Sequence, residues 1–377
     1  MRRLVGTLAV AVIALALVIG AILARTVRSE VEEAKGYLLT LMELRRSALR
    51  EYLETTRSEV LLWSELPGLR DAVIELGRAW EQLPDDPSAR LQRLYIQENP
   101  YQEDGRHRLT AAADGSLYSR LHEAVHPNAL RFIQYHGYDD VFLFDAEGHL
   151  LYTVAKEPDF ATDFVAGAWR DTGLGRAFRA ARDAESEDFV AFTDFEPYAP
   201  SGDEPASFVA SAVRGEDGEF LGVLAFQIPV SGIDHIMQFT GGMGDTGETY
   251  LVGRDGLMRS DSRFSGTSTI LRTRVDTEPA RRALAGETGM DEATDYRGIP
   301  SLAAFGPFDF EGVRWAVVAE IDRSEVRGRA LEPRRLLPAA LLGLATVAAL
   351  AAVALTYLMG RAERPEPWTR DVGRGGG

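Results

Sequence analysis

Two apolar runs bracket this chain, and they constrain its fold more than any other feature. Leu4 to Ala24 carries no charge and stands behind Arg2 and Arg3. Leu336 to Met359 is rich in alanine and leucine, with Arg361 and Arg364 just beyond it. As helices, about 20 residues cross the roughly 30 Å of a bilayer's hydrocarbon. The first run reads as an uncleaved anchor rather than a signal peptide, whose core is usually about 7–15 residues and whose small-residue cleavage site is not evident before Arg25. The rival for the second run is a buried core helix, which a Gly-Arg-Gly-Gly-Gly end does not suit. Two spans place both termini on one side of a membrane and Arg25–Arg335 on the other. Arg2, Arg3, Arg361 and Arg364 favour cytoplasmic termini, while Arg327, Arg329, Arg334 and Arg335 on the opposite flank dilute that bias.

Between the runs the composition is that of a globular protein, 45% hydrophobic and 26% charged, and 377 residues allow two or three domains. The net charge of −16 repels polyanions, so no nucleic-acid partner is expected. With no cysteine, disulfides, thiolate metal sites and cysteine nucleophiles are excluded. Only Lys35 and Lys156 among 41 basic residues are lysines, a bias read as genomic habit.

From Ser29 to about Trp63, apolar residues such as Val31, Leu38, Leu41, Ala48, Tyr52 and Leu53 fall largely at three- and four-residue steps, which predicts one long amphipathic helix continuous with the first span. Arg45, Arg46, Arg50, Glu51 and Glu54 form its charged face. Shorter helices are expected at 69–82, 89–97 and 117–135. The pattern changes at Tyr138: Val141–Val154 reads as two strands about a turn at Asp145–Gly148, and further strands are expected at 189–194, 206–214 and 220–229. A similar order repeats, with a hairpin over 248–262 turning at Asp255-Gly256, a helix near 279–284, and strands at 290–296, 301–308 and 313–321. The repeat predicts two α/β modules of one kind. The expected divisions are a start and first span (1–28), a long helix and helical region (29–137), a membrane-distal module (138–240), a membrane-proximal module (241–323), a signalling helix and second span (324–360), and a short cytoplasmic tail (361–377).

Three chemical patterns stand out. His122-Glu-Ala-Val-His126 matches a zinc-hydrolase spacing, two imidazoles on one helix face with Glu123 as base. However, Pro127 is expected to end the helix at once, and no third-ligand motif follows, so the histidines are expected to pack or cap. Gly242-x-Gly244-x-x-Gly247 matches a dinucleotide fingerprint in inverted context, helix before and strand after, and reads as a linker. No Walker loop, nucleophile elbow or kinase motif is present; neither a cofactor nor enzyme activity is expected. The third pattern is a pocket. Tyr152, Trp169, Arg170, Asp171, Asp194 and Tyr198 lie on loops and strand ends of the first module, aromatic walls with fixed polar groups that suit a small ligand bearing an amine or carboxylate. The bland alternative makes Trp169 and Tyr198 core, with Asp194 bonding backbone amides. Tyr250, Arg259, Asp261, Arg263 and Tyr296 form a comparable cluster in the second module, where Arg259, Asp261 and Arg263 share one face if Arg259–Arg263 is a strand. An internal ion-pair network is the alternative to a second ligand site there.

The same residues carry a family likeness. The Tyr138-Asp-Asp-Val-Phe-Leu-Phe-Asp-Ala-Glu-Gly148 hairpin, Asp194-Phe-Glu-Pro-Tyr198, Gly218-x-x-x-Gly-Val-Leu-Ala-Phe-Gln227 and Gly244-Asp-Thr-Gly-Glu-Thr-Tyr-Leu-Val-Gly253 with Arg259-Ser-Asp-Ser262 resemble the double Cache (dCache) extracellular sensors of bacterial chemoreceptors, sensor kinases and cyclases. The likeness spans roughly Arg25–Arg335. It implies an α+β fold, a long N-terminal helix followed by two tandem PAS-like (Cache) modules with antiparallel sheets, between two transmembrane helices. It also implies a distal ligand-binding module, a bacterial inner-membrane location with the main domain periplasmic or extracellular, and signalling by small shifts of the helix entering the second span. Of the Arg-x-Trp-Tyr arrangement and downstream Asp of the amino-acid-sensing members, only Trp169, Arg170, Asp171 and Asp194 loosely answer. Alanines 345, 348, 349 and 352 would permit close helix packing, so a homodimer is expected, with positions 38 and 41 at its seam. The chain stops 18 residues after Met359, with Pro365 and Pro367 in its tail. The output part is therefore expected on a separate cytoplasmic signalling protein, unless the sequence is a truncated receptor. The alternatives are an envelope partner-binding subunit without a small ligand and, further off, the zinc hydrolase.

Overall fold

The computed structural model describes residues 2–362; the expected tail from residue 363 onward, with Arg364, Pro365 and Pro367, lies outside the described residues. The chain divides into two compact units. One is Lys35–Asp322; the other joins the residues up to Ala34 with the chain from Arg323 onward.

The joined-ends unit contains the start of α1 (Arg2–Ser64), then α8 (Arg323–Ala330) and α9 (Pro333–Ala362). Two of its helices are long and apolar enough to cross a membrane, and their apolar stretches are uncovered by the rest of the chain. Leu15, Ile19 and Leu23 of α1 share a groove with Leu336, Ala340, Gly343 and Val347 of α9. A β-carbon on Gly343 would stand 3.5 Å from Ile19, so α9 lies against α1 at this glycine.

In Lys35–Asp322, the remainder of α1 buries Leu38, Leu41, Met42, Leu49, Leu53 and Val60, a stripe at helical spacing. Leu38 and Leu41 therefore belong to the chain's own core and not to a dimer seam; Tyr37 and Leu44 are the exposed apolar residues nearby. Helices α2 (Pro67–Glu81), α3 (Pro87–Gln92, extended by a π turn to Gln97) and α4 (Leu117–His136) follow. Pro127 lies inside α4 and does not end it. A proline removes one N–H and strains one turn, and burial of Phe132 and Ile133 beyond it holds the helix on course. The helix stops at Gly137, at φ +81°, whose N–H donates to the Ile133 carbonyl.

The first sheet runs β2–β1–β6–β5–β3, all neighbours antiparallel, with β4 also pairing on β5. Its strands are β1 (Asp140–Asp145), β2 (Leu150–Thr153), β3 (Ala191–Phe192), β4 (Glu196–Tyr198), β5 (Glu204–Arg214) and β6 (Phe220–Ile228). The β1–β2 turn is held by the Asp145 carboxylate, which accepts from the amides of Gly148 and His149 at 2.8 Å. Gly148 is required there: its φ is +96°, and a β-carbon would come within 2.6 Å of Val165. Strand alternation sends Phe142, Phe144, Phe208, Val223 and Ala225 to one face, where they pack with Leu174 and Phe178 of α5 (Gly173–Arg182). The alternate residues face α2 and α4. Both faces are covered, which is why β1 reads as the apolar run Val-Phe-Leu-Phe.

After α6 (Val230–Met237) the second sheet runs β7–β10–β9–β8, antiparallel throughout. Its strands are β7 (Glu248–Val252), β8 (Gly289–Thr294), β9 (Pro300–Phe310) and β10 (Val313–Asp322), with α7 (Glu278–Leu284) on one face. Residues 253–262 do not complete the expected second hairpin arm; only the isolated bridges Val252–Met258 and Leu257–Arg274 form. Asp261 accounts for the departure. Its Oδ1 accepts from the Thr269 amide at 2.5 Å and the Ser268 hydroxyl at 2.9 Å, gathering this segment into a loop.

Candidate functional site

Where the first sheet meets α2 and α4, side chains fail to fill the space. A cavity of about 480 Å³ remains between Trp63 at the end of α1, Leu69 and Ala72 of α2, Ala124, Asn128, Ala129 and Phe132 of α4, and Val141, Leu143, Leu224 and Phe226 of the sheet. Ala124 and Ala129 place methyl groups on α4 where larger side chains would close it. Trp63, Phe132 and Phe226 form an aromatic wall, their rings 4.3 and 5.1 Å apart in sequence. Tyr152 lines the same cavity with its ring and points its hydroxyl away.

That hydroxyl begins a buried polar tract. Tyr152 donates to Nδ1 of His126 at 2.7 Å, while Nε2 of His126 donates to the His107 carbonyl at 2.6 Å, a geometry that selects the neutral imidazole. Burial and the nearby Lys156 push this histidine down to about 4. His122 stacks on it at 4.9 Å and donates from Nδ1 to the Thr110 carbonyl at 2.5 Å, leaving a buried Nε2 with no partner. The Lys156 ammonium approaches His126 Nδ1 at 3.4 Å and the Val154 carbonyl at 3.2 Å; desolvation lowers its pKa to about 7. Asp140, buried beside them, accepts from the amides of Val141, Val154 and Ala155, yet desolvation raises it to about 7. Sequence reasoning passed over Lys156 and Asp140. The available signal was composition: one of only two lysines in an arginine-rich chain sits three residues after β2.

The six residues expected to wall a distal ligand do not converge. Tyr152 alone lines the cavity. Trp169 is half-buried against the α5 side of the sheet. Arg170 and Asp171 form an exposed pair at 3.2 Å. Tyr198 is buried and donates to Asp159 Oδ2 at 2.5 Å, with Asp159 Oδ1 unpartnered and burial raising that carboxyl to about 8. Asp194 instead reaches the second module. Its two oxygens take Nε and Nη2 of Arg259 at 2.8 and 2.9 Å, and Oδ1 also accepts from the Trp315 indole at 2.7 Å.

The second cluster divides likewise. Tyr250 and Tyr296 meet edge-on at 5.4 Å and donate to Glu320 and Glu248, carboxylates placed opposite each other on β10 and β7. Arg259, Asp261 and Arg263 share no strand face: Arg259 is buried on Asp194 and Asp255, Asp261 organises its loop, and Arg263 donates to the Gly247 carbonyl at 2.7 Å. In His122-Glu-Ala-Val-His126 the histidines are buried while Glu123 is exposed on the other side of α4. Among the described residues, no three His, Asp or Glu side chains are grouped to hold a metal ion. The 242–247 glycines form a linker between α6 and β7.

A family model described as Cache domain (dCache_1) matches residues 27–330. This chain belongs to the double Cache family. Similar solved structures include the periplasmic sensory domain of the Campylobacter jejuni chemoreceptor Tlp1 (14% identity, 81% of this chain and 99% of that one, TM-score 0.44). Another is the ligand-binding domain of the Pseudomonas fluorescens chemoreceptor CtaA in complex with L-serine (14%, 78% and 99%, 0.42). A third is that of the Pseudomonas aeruginosa PAO1 amino-acid chemoreceptor PctC in complex with GABA (17%, 77% and 100%, 0.40). A comparison with curated proteins found no match.

Proposed function

We propose that this double Cache protein is a two-pass membrane sensor whose extracytoplasmic region binds a small molecule and biases the helix leading from β10 into the second span. The observation that carries this reading is the cavity of about 480 Å³ between α2, α4 and the first sheet, a size and apolar lining suited to a small ligand. Its walls favour an apolar or aromatic molecule, with the Asn128 amide as a polar contact, and of the expected ligand residues we place Tyr152 there. A ligand shifts the transmembrane helices only through different affinity for their two arrangements. The reading includes a homodimer and a cytoplasmic signalling partner. A cysteine crosslink through Leu44, on the exposed side of α1, tests the dimer: only monomer would refute it.

Thermal unfolding of the purified protein against aromatic and aliphatic compounds, amino acids, amines, carboxylates and nucleobases tests the ligand. At 100 times its Kd, a ligand adds about 2.7 kcal/mol to the bound unit. The shift should disappear in Ala129→Trp, which fills the cavity. No shift from any class would favour an envelope partner-docking role instead.

A further inference from the structure

We propose that the junction of the two modules holds a second binding site, for a small organic cation bearing a primary amine or guanidinium. A separate cavity of about 360 Å³ lies there, lined by Asp139 before β1, Glu157 after β2, Ser201 and Glu204 at the start of β5, Gln227 of β6, and Ser268 from the proximal module. Three carboxylates face it and no lysine or arginine lines it.

The arrangement and charge of these groups suit a bound cation. Gln227 is only 7% exposed, and its backbone is committed to the sheet, its carbonyl accepting from the Asp139 amide. Its side-chain amide has no protein partner among the described residues and borders the cavity. The Asp139 carboxylate, on a residue exposed to solvent, makes no hydrogen bond or ion pair either; partial desolvation and the charge of Glu157 raise its pKa. Glu157 receives one bond, from the Ser201 hydroxyl at 2.6 Å, and is likewise raised by burial. The nearby positive charges are Arg106, which acts on Glu157 through space, and Arg272, in a loose 3.8 Å pair with Glu204 that is more than half exposed on both sides. An ammonium or guanidinium would relieve the repulsion between Asp139 and Glu157 and give the Gln227 carbonyl a donor. The volume suits a molecule of several heavy atoms, while no metal-binding group is present among the described residues.

The placement couples the site to both modules. Ser268 donates to Asp261, the residue that folds the proximal loop, and Asp261 in turn donates its amide to Asp234 of α6. A cation held between Asp139 and this loop fixes one module against the other, independently of the apolar cavity.

Calorimetric titration of the whole protein in detergent with 1,4-diaminobutane and with agmatine tests this, using 1,4-butanediol, butyrate, calcium chloride and matched sodium chloride as controls. Saturable binding of the amines is expected, weakened about tenfold by each of Asp139→Asn and Glu157→Gln, as loss of a charge-assisted contact predicts. It should be abolished by Ser268→Trp, which fills the cavity from the proximal side, and unchanged in Asp171→Asn. If a variant is misfolded by circular dichroism, the remaining two decide. Binding by none of the amines, binding indifferent to all folded variants, or equal binding of calcium would overturn the proposal.

Discussion

The two modules share an antiparallel sheet covered by helices, yet they spend their interiors differently. The distal sheet packs α5 tightly on one face and leaves a cavity under α2 and α4 on the other. The proximal sheet closes around Tyr250, Phe305, Val318 and the small side chains of α7, and seats its buried acids on tyrosines. Distal ionisable groups are incompletely partnered: His122 Nε2 and Asp159 Oδ1 have none, and Lys156 is held without an ion pair. In the proximal module Glu248 accepts from both Ser262 and Tyr296, and Arg297 bridges Asp295 and Asp322. The partnering differs in degree, since Glu320 Oε1 of the second module is also buried without a partner, but only the first sheet leaves an open cavity against its helices, which suits binding. Asp194, Arg259 and Trp315 fasten the two together.

Breaking that fastening has the largest expected effect. Arg259→Ala leaves the partly exposed Asp194 and Asp255 without their buried cation, at a cost of about 2–3 kcal/mol after allowing for the exposure of both carboxylates. Urea unfolding should change from one transition to two as the modules separate; an unchanged single transition would show that the fastening carries no coupling.

The next effect sets the modules apart by pH. Asp159 has a folded pKa of about 8 against 3.8 for a free carboxyl. The folded state therefore holds a proton that the unfolded state has lost between these values, so its contribution to stability falls as pH rises from about 4 to about 8. Asp159→Asn should flatten that part of the melting-temperature profile, whereas a profile parallel to wild type would refute the buried-acid assignment. Lys156, lowered to about 7, acts oppositely above neutrality: stability rises with pH from about 7 to about 10.5, and Lys156→Met should remove that rise.

Packing separates them further. Ala303→Leu forces a larger side chain beneath α7 and should cost about 1–3 kcal/mol, while Ala129→Leu enters existing space and should stay within about 0.5 kcal/mol. Equal costs in denaturant melts would mean that the distal cavity closes in solution. Tyr296→Phe, which removes the hydroxyl from Glu248 and Ser262, should cost less than the Ala303 variant, about 1 kcal/mol by the same melts, with no change in ligand binding at the first module.

Much of the architecture is legible in the residues. Val141–Phe144, Phe208–Ala210 and Ala316–Ala319 are apolar on both faces, and such runs form central strands wherever the chain places them. The stripe from Leu38 to Val60 repeats at helical spacing, and the turn at Asp145–Gly148 follows from local chemistry. The same local rules misjudge Pro127, because distant packing of Phe132 and Ile133 outweighs one lost hydrogen bond, and they misjudge Arg259–Arg263, where a carboxylate captures the backbone of its own loop.

The candidate site was less legible, since its parts lie far apart in the chain. Asp194 and Arg259 stand 65 residues apart, and nothing in either segment announces the other. Tyr152 could be named from its strand, but not the direction of its hydroxyl toward His126. Sequence alone determined the elements, the two apolar runs, the double-module plan and the family, because propensity, periodicity and turn chemistry act within a few residues. Only the tertiary structure decided which face keeps a cavity, which buried acids go unpartnered and which residue joins the modules, because those outcomes depend on how side chains from separate strands and helices fill one shared volume.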